Sequence, residues 1–321
     1  MATQLKKTVM PSGGDYTSLE ACMNANEQNL VTADQYFDVE IDGTWSSVDT
    51  SVVTIHNYII DTTRYINVYT TSAAGHKGIY STSYYVLAPT DAVAYGLYLS
   101  TGGGSGAATE KLSITGIQIN LTGATSGNRY GIHAGTNRDH YISKCIILNC
   151  VGSAYWHDNE NSISHIWNCI IYSCGTGLRK YYGLKDYWYS NTIFNCTTGI
   201  NSEADAGRSA DIINNIVQGG TTCYTGTFGT TTDNISSDTS SPNNEWDSVN
   251  VAFVNEGAGV ENLHLDVSDT SGAKDGGTDL SATFTDDIDG VTRSGTWDIG
   301  ADEYVTSGVA TGFMTANRGY W

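Results

Sequence analysis

Lys144-Cys-Ile-Ile-Leu-Asn-Cys150, Asn168-Cys-Ile-Ile-Tyr-Ser-Cys174, Asn191-Thr-Ile-Phe-Asn-Cys196 and Asn214-Asn-Ile-Val-Gln-Gly219 are four renderings of one short line. Ile146, Ile170, Ile193 and Ile216 recur at intervals of 24, 23 and 23 residues. Self-similarity at a fixed period marks a repeat architecture. Each line is short, β-branched and followed by Gly or Asn, the pattern of a strand that ends in a turn. A second strand keeps the same period at Gly131-Ile132, Ala154-Tyr155, Gly177-Leu178 and Gly199-Ile200. Helical repeats of this length need two amphipathic helices per unit, and no helix-period stretch lies between the lines. The pattern therefore predicts an all-β parallel β-solenoid of about 23 residues per coil.

Stacked coils lie about 4.8 Å apart, so equivalent residues form ladders. The steadier column, Ile146, Ile170, Ile193 and Ile216, is expected inside. Ile147, Ile171, Phe194 and Val217 are expected outside it or at a corner. A coil cannot bury its apolar face alone, so both ends need covers. Cys150, Cys174 and Cys196 form one thiol column; Cys145 and Cys169 begin another that continues to Thr192 and Asn215. A disulfide or metal framework is the competing reading. The odd total of seven Cys and the replacement of Cys along each column favour buried free thiols. Zinc is not expected, because no Cys-x-x-Cys pair occurs and no His falls at ligand spacing.

The 321 residues include 36 Gly, 21 Tyr and only 3 Pro, as suits tight corners and exposed aromatics. A formal charge of −19 argues against nucleic acid and anionic membrane as partners, which reward Lys and Arg. No stretch approaches the roughly 20 apolar residues of a membrane helix. The two lysines near Met1 precede no apolar run, so no secretory signal is expected. No cofactor is expected either.

Residues 1–35 read as an extended lead-in followed by a helix at about 17–28. Thr17 and Glu20 suggest a capping box there, and Leu19, Cys22 and Met23 an apolar stripe. Residues 36–244 read as the β-helix, 245–304 as C-terminal coils with a closing segment, and 305–321 as a tail. Gly102-Gly-Gly-Ser-Gly-Ala is a loop: no Lys-Ser/Thr or helix follows to make it a phosphate cradle. Ser12-Gly-Gly-Asp15-Tyr-Thr17-Ser resembles the opening of right-handed parallel β-helix proteins of the pectate-lyase-like superfamily. Asn262-Leu-His-Leu265, Ser271-Gly-Ala-Lys-Asp275-Gly-Gly, Asp287-Ile-Asp289-Gly, Arg293 and Thr296-Trp-Asp298-Ile-Gly-Ala-Asp302-Glu-Tyr304 resemble the terminal region of bacterial and phage β-helix repeat proteins. These resemblances imply a right-handed parallel β-helix with an N-terminal capping helix. They also imply a C-terminal closing segment, with Trp297 and Ile299 over the last coil.

Aligning the second strand places His133, Trp156, Arg179 and Asn201 in one outward column, with His157, Lys180, Tyr181, Tyr182 and Glu203 close by. Trp188 follows on the next corner. Aromatics mixed with acid, base and imidazole suit a glycan-binding flank, with ordinary cross-coil pairing as the alternative. The polysaccharide-cleaving relatives use carboxylates with a cationic base, or paired acids. Asp158, Glu160, Asp186, Glu203, Asp205 and Asp211 supply carboxylates, but the superfamily's paired Asp, Gln and Arg patterns are missing, so no catalytic residue is assigned. Asp287 to Gly290 imitates part of a calcium loop without the later bidentate Glu, and reads as a turn. Phe313, Met314, Tyr320 and Trp321 make the tail a candidate attachment peptide, with residues 1–11 as the other candidate.

A surface-type architecture without an export signal is expected on a virion, released by lysis. The leading expectation is a bacteriophage structural protein: a capsid decoration, fibre or tail-associated β-helix bound to other capsid or tail proteins and touching host glycan. The resemblance to phage β-helices suggests a homotrimer. A polysaccharide lyase or glycoside hydrolase, and a cell-surface adhesin, are the alternatives.

Overall fold

The computed structural model describes residues 1–90, 95–100, 110–123, 129–135, 138–203, 208–243 and 246–305. Among these residues the chain winds through one nine-stranded sheet (S1) and two seven-stranded sheets (S2 and S3). One turn runs through Asp139–Ser143 in S1, Ile146–Leu148 in S2 and Ser153–His157 in S3, and then returns to S1 at Ile163–Trp167. Each strand pairs in parallel with its counterpart one turn later. The protein is a parallel β-helix, and parallel crossovers of this kind are right-handed in nearly all sheets.

The corner from S1 to S2 is made by one left-handed residue per turn. Lys144, Asn168, Ser190, Asn214 and Asp233 have φ between 49° and 57° there. Asn and Asp tolerate that conformation better than other side chains with a Cβ. This corner sets the register, and it corrects the expected isoleucine column. Ser190, not Asn191, is the counterpart of Asn168, so Thr192 pairs with Ile170 and Ile193 with Ile171. The inward column is Ile119, Ile147, Ile171, Ile193 and Val217. Ile146, Ile170, Thr192 and Ile216 point outward. They are buried nonetheless, because a later part of the chain covers them.

The same slip corrects the second thiol column, which continues from Cys169 to Asn191 rather than to Thr192. Asn191 Oδ1 accepts from Cys169 N at 3.0 Å, and Asn215 Oδ1 accepts from Asn191 N and Nδ2 at 3.1 Å each. Asn234 Oδ1 accepts from Asn215 Nδ2 at 2.9 Å, and Asn243 Oδ1 from Asn234 Nδ2 at 3.0 Å. Each buried amide thus satisfies its neighbour along the ladder, which a buried polar group requires. All seven Cys are free and buried, and burial pushes the thiols of Cys169, Cys174 and Cys196 upward.

At the N-terminal end Thr3–Val9 is already a strand of S1, paired with Gln35–Ile41. The extended lead-in is therefore itself a strand of the solenoid. The expected single helix is two: Leu19–Ala25, capped by Ser18 rather than Thr17, and Leu30–Ala33. Leu19, Cys22 and Met23 are buried against the first turns.

The C-terminal segment lies along a side of the solenoid, where the sequence suggested a cover over its last coil. Val251, Phe253, Leu263, Leu265, Ala273, Ile288, Ile299 and Ala301 pack on the outward residues of S2. The corner residues grip it. Asn168 Oδ1 accepts from Arg293 Nη2 at 3.1 Å, and Lys144 pairs with Asp286. Asn214 exchanges two bonds with Thr278, at 2.8 and 2.9 Å. Thr192 breaks the isoleucine column because its Oγ1 accepts from Ala301 N at 3.0 Å. Gly300, at φ 102°, is needed at this crossing: a Cβ would stand 2.6 Å from Ile216 Cδ1. The end of the last coil is instead met by residues 238–243, where Asp238 accepts from Cys223 N at 2.8 Å and Ser241 donates to Asn234 O at 2.6 Å.

Candidate functional site

In S3 the strands set His133, Trp156, Arg179 and Asn201 side by side on the outer face. Tyr98 extends the column by one turn. Tyr98 and His133 stack at 4.8 Å, and His133 and Trp156 at 4.4 Å with planes 12° apart. Arg179 continues the stack, its guanidinium 5.9 Å from the Trp156 ring and 5.6 Å from Tyr181. Glu203 holds Arg179 at 2.9 Å. Burial lowers the His133 pKa, against the pull of Asp158 at 3.3 Å. Tyr181 and Tyr182 are exposed and meet edge to face.

The strand alternation removes three residues from the expected flank. His157, Lys180 and Trp188 are completely buried. They follow or precede outward residues by one position, and a strand turns successive side chains to opposite faces. Trp188 lies inside S1 and donates to Ser164 Oγ at 3.0 Å. His157 and Lys180 converge on Asp186, at 2.7 and 3.0 Å. Burial by itself raises the Asp186 pKa, but His157, Lys180 and Ser164 outweigh it and hold the carboxyl at about 2. His157 Nε2 stands 2.5 Å from Ser162 Oγ, so Ser162, His157 and Asp186 share the connectivity of an acyl-transfer triad. All three are completely buried, and Lys180 occupies the second oxygen of Asp186. The arrangement is an ion-pair network sealed in the core.

A second outer column went unnoticed in the sequence. Tyr141, His165 and Tyr187 stack on S1 at 4.5 and 4.9 Å, with planes 5° and 19° apart. Lys111 lies 5.1 Å above Tyr141, and Lys185 lies 5.9 Å from Tyr187 and pairs with Asp211 at 2.6 Å. Burial pushes His165 down to about 4. The signal was available, since these rings recur at nearly the coil period. In both columns the ring faces are covered by one another, and the Trp156 Nε1 is itself buried. The neighbouring concavity is a shallow groove of about 540 Å³ on the corner between S2 and S3. Arg129, Asn149, Ser173, Asn195 and Thr197 help to line it.

Residues 101–109, which contain the glycine-rich loop, and Asp205 lie outside the described residues, as do Phe313, Met314, Tyr320 and Trp321. Among the described residues no helix is long and apolar enough to cross a membrane. The chain matches no known family model, and no curated protein sequence is significantly similar to it.

Proposed function

We propose that the protein is a structural component of a bacteriophage virion: a capsid decoration, fibre or tail-associated β-helix bound to other capsid or tail proteins. The observation that carries this reading is the division between the outer faces and the core. The outer faces of S1 and S3 hold self-stacked columns, whereas His157, Lys180, Asp186 and Ser162 are sealed inside. A lyase or hydrolase needs its acid and base where a polysaccharide can reach them. The resemblance of residues 262–304 to bacterial and phage β-helix proteins bears on the fold and its closing segment, which this reading uses as its scaffold. Because Thr3–Val9 is tied into S1, the tail from residue 306 onward is the attachment peptide in this proposal. Particles purified on a density gradient should carry the protein, and a chain lacking residues 306–321 should stay free. Wild-type protein found only in the soluble fraction defeats the reading.

The groove lined by Arg129, Asn149 and Asn195 favours a second role for the same protein, contact with host surface glycan. Glycan-array binding that Arg129→Ala and Asn195→Ala reduce would support it. Release of unsaturated or reducing ends from host glycans would replace the structural reading with an enzymatic one. Sedimentation of the purified chain tests the homotrimer suggested by the resemblance.

A further inference from the structure

The C-terminal segment gathers a mixed donor set that the S3 flank does not involve. His264 comes from the strand Asn262–Leu265, Asp289 from the turn at 287–290, and Asp302 from the turn after Ile299. One ligand atom from each lies within 4.8 Å of the other two. His264 Nδ1 donates to Asn262 Oδ1, which leaves Nε2 facing the carboxylates, 2.8 Å from Asp289 Oδ2. Anchoring one ring nitrogen this way is how proteins orient a metal-binding imidazole. Asp302 is only 6% exposed, and its carboxylate is held by Leu265 N at 2.8 Å.

One further observation points to an occupant. Asp289 Oδ1 is buried and accepts no hydrogen bond. Gly78, on the early coil, brings its backbone directly against the same atoms. A Cβ there would stand 2.3 Å from His264 Nε2 and 2.5 Å from Asp289 Oδ1. Asp287 is completely buried next to the cluster but is not free to bind. Its oxygens accept from the N–H groups of Asp289, Val291 and Glu303, at 2.9, 2.8 and 3.1 Å. It shapes the turn, and burial together with the Asp302 and Asp289 carboxylates pushes its own carboxyl up to about 7.

We propose that His264, Asp289 and Asp302 bind one first-row divalent cation, Zn²⁺ or Mn²⁺, which ties three turns of the C-terminal segment together beside Gly78. A proton shared between His264 Nε2 and Asp289 Oδ2 would leave Asp289 Oδ1 alone; one cation reaches all three side chains. An imidazole nitrogen with two carboxylates suits zinc or manganese, whereas Ca²⁺ and Mg²⁺ take all-oxygen shells. The side chains of His264 and Asp289 retain 17% and 26% exposure, so water completes the shell from that side.

The test uses the full chain, stripped with chelator and titrated calorimetrically with Zn²⁺, Mn²⁺, Ca²⁺ or Mg²⁺ in turn. One equivalent of Zn²⁺ or Mn²⁺ should bind and raise Tm by about 3 °C or more at saturation, while Ca²⁺ and Mg²⁺ at equal concentration do neither. H264Q and D302N should lose at least ten-fold in affinity. X-ray absorption of the zinc-loaded wild type keeps the proposal open to refutation even if a variant fails to fold. It should show nitrogen and oxygen at about 2.0–2.1 Å with one imidazole. No stoichiometric binding, unchanged affinity in both variants, or a sulfur shell from the cysteines would overturn it.

Discussion

S2 and S3 share the same coils, yet one outer face is roofed and the other is bare. Outward S2 residues are Ile146, Ile170 and Ile216, flanked by Leu148, Tyr172 and Phe194; outward S3 residues are His133, Trp156, Arg179 and Asn201. Burying an aliphatic or aromatic side chain stabilises by about 1.5–3 kcal/mol, so an uncovered S2 face would be a large apolar patch. The amides of Gln118 and Gln218 mark the two ends of that stripe. Gln118 binds Ser81 and Tyr85, and Gln218 binds Val251, in each case through backbone atoms. Rings and guanidinium on S3 cover one another instead and need no roof. Outward chemistry, not backbone geometry, decides which face recruits the rest of the chain.

The largest test of this contrast removes the roof. Deleting residues 246–321 should leave S2 exposed and the protein insoluble or aggregated, as seen by sedimentation. A soluble, folded remainder would show that S2 does not depend on its cover. Inside the solenoid, Asp186→Ala strands Lys180 and His157 without their partner. It should cost about 3–5 kcal/mol in denaturant unfolding. Asn215→Leu interrupts the amide ladder and should cost about 1–3 kcal/mol for each buried group left unpaired.

Protonation separates the two kinds of position more gently. Burial holds His76 and His165 at about 4, below the usual value near 6.5. Each therefore contributes stability that is complete above pH 6.5 and lost as the pH falls through 4. Their imidazole NMR shifts should stay flat from pH 8 to pH 5; a midpoint near 6.5 would contradict the burial. Smallest of all, Arg179→Ala on bare S3 should change stability by less than about 1 kcal/mol, since Arg179 and Glu203 are both about a third exposed. A loss comparable to that of Asp186→Ala would mean that the S3 column holds the fold together.

The repeat was legible because every turn must place a strand and a corner at nearly the same spacing. The outward column His133, Trp156, Arg179 and Asn201 was legible for the same reason. Where the reading slipped, the cause was a single residue. The turn through Ser190 reaches its corner one residue early, and Asn191 imitates Asn168 in type while serving the amide ladder instead. A one-residue slip exchanges the inner and outer faces of a strand, which turned Ile170 inward on paper; His157 and Lys180 were counted with the flank for another reason, since they alternate with the outward Trp156 and Arg179. The cation cluster was hidden for a different reason. His264, Asp289 and Asp302 follow no period, and only the folding of the C-terminal segment brings them to one point.

The amino-acid order alone determined that this chain is a stack of parallel β-coils, because only stacking can bury so short a repeated apolar line. Which isoleucine faces inward, which sheet is roofed and which carboxylates meet His264 were decided by tertiary structure. Those outcomes depend on one left-handed corner residue per turn and on contacts between residues more than a hundred positions apart, such as Asn168 with Arg293. A local pattern records spacing along the chain; it does not record which distant segment returns to cover it.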